Sequence, residues 1–68
     1  DSTTAIREYR QALALEDDPH THKLLAIELA NAGYASEAIS EFRLAERGGE
    51  ACEDRDFRCQ AARERTKH

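Results

Sequence analysis

Proline occurs once and glycine three times in these 68 residues. No apolar run comes near the roughly 20 residues needed to cross a bilayer, and no basic-then-apolar leader is present. With so few helix breakers, 40% hydrophobic and 35% charged residues and twelve alanines, the composition suits helices and suits neither strands nor disorder. Positive charge is also in short supply. Ten Lys and Arg against fourteen Asp and Glu give a formal net charge of -4 and a sequence pI near 5.3. That balance opposes the counterion release that drives nucleic-acid binding, and it disfavours an anionic membrane surface. Catalytic signatures are missing as well: there is no nucleophile and base pair, no paired-carboxylate pocket and no phosphate loop. Gly48-Gly49 runs into Glu50 rather than into Lys-Ser or Lys-Thr, so neither an enzyme nor a cofactor is expected. The chain starts at Asp1 rather than Met, which reads as a piece of something longer.

What is present is helical periodicity within a single domain over residues 1–68. A chain this short buries only about 60% of the surface its unfolded form exposes, so it needs efficient helix packing or neighbours. The organising stretch is Lys23 to Gly49. Leu24, Leu25, Leu29 and Ala32 gather on one face of a first helix, and Ala38, Ile39, Phe42 and Ala45 on one face of a second. Gly33 can close the first at positive φ, and Ser36 can cap the second. Upstream, Ala5, Ile6, Tyr9, Ala12 and Leu13 form another apolar face, with Ser2 or Thr3 as its N-cap and Pro19 as its stop. The spacing therefore predicts an all-α fold with helices over 3–16, 20–32, 36–47 and 52–66. Its core is Ile6, Tyr9, Leu25, Leu29, Ala38, Ile39 and Phe42, with Ala26 and Ala38 as close-contact positions. In the fourth helix Phe57 and Ala61 are the main apolar contacts, and Asp54 pairs with Arg58 across one turn.

Cys52 and Cys59 are seven apart. In one helix they stand about 10 Å apart along the axis, too far for a disulfide, whose Cα atoms lie within about 7 Å. Both are expected to be free thiols. A reducing compartment such as the cytoplasm then fits, and a periplasmic home stays open.

Laid over each other at an offset of 33, Ala5 to Ala12 and Ala38 to Ala45 agree at five of eight positions, and Tyr9 falls on Phe42. Periods of this size belong to stacked helical hairpins. On Leu25, Ala26, Leu29, Gly33, Ala38, Phe42 and Ala45 the chain resembles the tetratricopeptide repeat family, with Ala5, Tyr9, Ala12, Leu15 and Pro19 matching the tail of a preceding repeat. It departs from the pattern at His22, where the family often has Trp, at Ala35, where Tyr is usual, and at Pro19, which comes two residues late. The resemblance implies stacked antiparallel hairpins in an α-solenoid fragment. Residues 3–16 are then the second helix of a partial repeat, 20–47 a complete hairpin, and 51–66 a polar cap or the start of the next repeat.

The resemblance also implies a function, that of a scaffold binding a peptide or protein partner on the concave face lined by first helices. Here that face is His20, Lys23, Ile27, Ala30 and Asn31. The alternative is a structural or self-associating segment of a larger repeat protein, pairing with a second copy through an open face near Ile6 and Tyr9. Two further clusters invite a metal and do not support one. His20 and His22 point to different sides of a helix, and Cys52, Cys59 and His68 match no metal spacing. No metal site is expected.

Overall fold

The structure, a computed structural model, describes residues 1–67. Among them the chain forms four helices and no strand: α1 (Ser2–Leu15), α2 (Pro19–Asn31), α3 (Ala35–Arg47) and α4 (Phe57–Arg65). Short polar side chains set the first two starts. Asp1, rather than Ser2 or Thr3, caps α1, its carboxylate accepting the Thr4 N–H at 2.8 Å. Asp18 caps α2, taking the His20 N–H and the Thr21 hydroxyl. Pro19 then stands at the first helical position, where its missing N–H is no loss. Only residues 16–18 separate the two helices.

Glycine closes α2 and α3 in the same way. After α2, Gly33 adopts φ 93°, the Gly33 N–H reaches the Ala30 carbonyl, and the Tyr34 N–H reaches the Leu29 carbonyl at 2.8 Å. These two bonds satisfy carbonyls that the helix end leaves free. After α3, the Glu50 and Gly49 N–H groups reach the Ala45 and Glu46 carbonyls. The tight turn at Gly33 also overturns the expectation that Ser36 is a cap. It delivers the chain straight into α3 at Ala35, so Tyr34 holds the cap position without a side-chain bond and Ser36 lies inside the first turn.

The largest departure from expectation follows Gly49. Residues 50–56 are not helical, and α4 starts only at Phe57, capped by Asp56, whose carboxylate accepts the Cys59 N–H at 3.1 Å. With that segment folded back, Cys52 and Cys59 come to a Cα separation of 5.6 Å and are joined in a disulfide, leaving no free cysteine among the described residues. The expected separation of the two thiols holds only for one continuous helix, which the chain does not form. The inward face of α4 shifts too. Cys59 and Ala62 are buried, whereas Phe57 is 76% exposed and Ala61 is also exposed. Arg58 pairs with Glu28 of α2 rather than with Asp54.

Packing centres on α2. It touches α1, α3 and α4, whereas α1 and α3 share no backbone contact. Ile6, Leu25, Leu29, Ala38 and Phe42 are buried as expected, and Ala26 and Ala38 are fully so, which lets the α2 and α3 backbones approach closely. Tyr9 and Ile39 are only half-buried, and Tyr9 packs at the edge of the core. Gly48 lies so close to Pro19 that a Cβ there would run into the proline Cγ. The end of α3 is thereby pressed onto the start of α2.

Candidate functional site

The five residues expected to line a concave surface do share one side of α2, but that side is occupied. Ile27 is 4% exposed, Ala30 6% and Lys23 6%, because α4 and the 50–56 segment lie over them. Glu50 anchors this cover: its carboxylate meets Lys23 Nζ at 3.2 Å and His20 Nδ1 at 3.0 Å. Hydrogen bonds from His20 first, then from Lys23, hold the Glu50 carboxyl below its ordinary range. At the far end Arg65 donates to the Asn31 side-chain oxygen at 2.7 Å. The expectation of an open face is therefore corrected. Lys23, Ile27 and Ala30 are interior residues of this chain, and His20 and Asn31 are exposed on its border.

An open groove of about 600 Å³ lies elsewhere, between α1 and α3. It exists because the backbones of both helices approach α2 and not each other. The floor is Ile6 and Leu29, and one wall is the α1 stripe Thr3, Arg7, Arg10 and Ala14, whose spacing of three or four puts them in one row. Tyr34 and Glu37 form the other wall. One ion pair spans the opening, from Arg10 to Glu37, and both side chains are 55% exposed. Arg7 has no ion-pair partner among the described residues. Guanidinium groups beside an apolar floor can grip a carboxylate through two parallel N–H bonds while the floor takes an apolar side chain. The open face expected near Ile6 and Tyr9 is narrow. Ile6 is buried, Tyr9 and Leu13 are half-buried, and the bare positions are Ala12, Ala14 and Leu15.

The two histidines diverge, as the helical geometry requires. His22 is almost enclosed, with Nδ1 2.5 Å from Glu41 of α3 and Nε2 2.6 Å from Asp17 of the α1–α2 link. Burial works against its charge, but the hydrogen bonds its ring donates to Glu41 and then to Asp17 outweigh it, and the His22 pKa is raised. His22 thus joins three segments of chain rather than offering a free ring nitrogen. No group of three or more metal-ligating side chains forms among the described residues, and no helix of theirs is long and apolar enough to cross a membrane. His68 lies outside the described residues.

Sequence reasoning missed the groove, whose only signal was the row of arginines at 7 and 10 beside the apolar stripe of α1. No protein-family model, curated protein or solved structure matches the chain.

Proposed function

We propose that the chain is a protein-interaction module of tetratricopeptide-like build, and that it holds a peptide segment of a partner protein in the groove between α1 and α3. In this reading α1 is the second helix of a partial repeat, α2 and α3 are the complete hairpin, and α4 is the cap. The carrying observation is the groove itself. In a chain with a formal net charge of -4, its α1 wall carries Arg7 and Arg10 above a floor of Ile6 and Leu29. The partner segment is therefore one in which an acidic side chain neighbours an apolar one: the carboxylate meets Arg7 or displaces Glu37 from Arg10, and the apolar group covers the floor. So short a groove supports only modest affinity, with Kd about micromolar or weaker. Leu15, 90% exposed at the end of α1, favours a second reading in which this end meets another copy of the chain.

A peptide library displayed on phage and selected against the chain tests the first reading. Recovered sequences should pair Asp or Glu with Leu, Ile or Phe. Their binding should be lost with Ala14→Arg, which fills the groove from an exposed position on its wall. Peptides that bind the Ala14→Arg variant undiminished would place the site elsewhere.

A further inference from the structure

The cover over α2 is weakly built apart from one covalent bond. Its helix has nine residues, well below the length at which an isolated helix holds together in water. It buries only two apolar side chains, Cys59 and Ala62, together with Thr66. The rest of its grip is made of polar contacts at the rim, the ion pairs Arg58 to Glu28 and Arg63 to Glu46 and the hydrogen bond from Arg65 to Asn31, and of Arg63 set over the Phe42 ring. The 50–56 segment adds the Glu50 contacts and little regular structure. Beneath lie Lys23, Ile27 and Ala30, spaced at i, i+4 and i+7 along one face of α2.

The disulfide is placed where it can be both reached and felt. Cys59 is fully buried in the core, while Cys52 is half-buried and lines a shallow surface depression with Phe57, Gln60 and Ala61. A thiolate arriving from solvent can attack Cys52 Sγ.

We propose that the Cys52–Cys59 disulfide is a redox latch, holding α4 and the 50–56 segment over the Lys23, Ile27 and Ala30 face of α2, and that reduction by a dithiol uncovers this face. The exchange balances. A dithiol thiolate bonds to Cys52 Sγ and expels Cys59 as thiolate, which takes up a proton. The second thiol, as its thiolate, then closes the reductant's own disulfide and releases Cys52, which is protonated in turn. The protein gains two electrons and two protons, and the dithiol loses the same. Without the crosslink, residues 50–56 regain conformational freedom, the Glu50 clamp on Lys23 opens, and α4 is left with a docking surface too small to keep it seated. The latch does not depend on the groove between α1 and α3, whose lining includes neither cysteine.

The chain holds two lysines, at 23 and 67, and their side chains are 8% and 66% exposed, so Lys67 serves as an internal reference. Acetylation with an N-hydroxysuccinimide ester, followed by mass spectrometry, gives the ratio of the two rates with and without dithiothreitol. The Lys23 rate relative to Lys67 should rise about tenfold or more on reduction, as local opening of a marginal helix allows. The helical signal of α1 to α3 should persist, and protection should return on reoxidation. A Cys52→Ser, Cys59→Ser double variant should behave as the reduced chain does with no reductant present. Lys23 that stays protected after complete reduction overturns the latch. So does reduction that melts the whole chain, since the bond then staples the entire fold; the reduction result stands even where the double variant does not fold.

Discussion

The junction at His22 makes stability depend on pH in a direction opposite to that of most carboxylate networks. A neutral imidazole has one donor and one acceptor, and both His22 nitrogens face carboxylate oxygens, so only the protonated ring can satisfy both. The two bonds differ in worth. Glu41 is 21% exposed at its side chain, so its bond ranks with charge-assisted bonds of about 1.5 to 3 kcal/mol. Asp17 is 86% exposed, and its share is that of a surface pair, about 0 to 1 kcal/mol. Desolvation of the ring cancels part of this sum, leaving about 1 to 2 kcal/mol. The folded pKa is raised, so the contribution is complete below the unfolded value of about 6.5 and is lost as pH rises through the folded value. At about 4 to 8 °C per kcal/mol for a chain this small, thermal melts followed by circular dichroism should give a Tm roughly 5 to 15 °C lower at about pH 9 than at about pH 6. His22→Phe should flatten that slope, and the His22 ring resonances should titrate above the ordinary histidine range. A wild-type Tm that is level across this window, or a slope that persists in His22→Phe, would refute the assignment.

Three further outcomes follow from the same contacts. Gly48→Ala forces a methyl into Pro19 and should destabilise by about 1 to 3 kcal/mol in urea unfolding; an unchanged midpoint would mean that the helix ends can part freely. Removing the Cys52–Cys59 crosslink leaves no closed loop in the unfolded chain and should lower stability by about 2 to 3 kcal/mol, the loop being short, with α1 to α3 still helical at about 25 °C. A calorimetric Tm equal in oxidised and reduced protein would refute this. Asp18 has a lowered pKa, chiefly through its bond to Thr21, so its contribution is present above the unfolded value and fades as pH falls through the folded one. Asp18→Asn, which keeps a capping oxygen but no charge, should reduce that acid dependence, and acid titration of the two proteins side by side checks it.

Three helices were legible in the sequence because each is punctuated locally: Asp18 and Pro19 at one junction, Gly33 at the next, Gly48 and Gly49 at the third. Periodicity alone located Leu25, Leu29, Ala38 and Phe42 in the core. Periodicity also failed at Ile27, Ala30 and Lys23, since a face looks solvent-exposed until the element that covers it is known, and that element comes more than twenty-five residues later in the chain. The late start of the fourth helix is hidden from the sequence for a related reason. Charged residues at 50 to 56 are compatible with a helix start, and nothing local reveals that a pairing of Cys52 with Cys59 forbids one. The repeat of α1 in α3 remains a pattern of residues. As for the groove, it depends on how far α1 and α3 splay about α2, which no single segment encodes.

The placement of every other helix on α2 also bears on how the chain reaches this state. The α1–α2 and α2–α3 pairs are each joined by a link of a few residues, so most of the contacts that define the fold close short loops, the regime in which small helical proteins fold within microseconds to milliseconds. The α2–α3 hairpin has the densest packing and is the natural nucleus, with α1 docking onto a surface already formed. Substitutions such as Leu25→Ala should then slow folding, whereas Ile6→Ala should chiefly speed unfolding, a division that stopped-flow chevrons would reverse if α1 and α2 paired first.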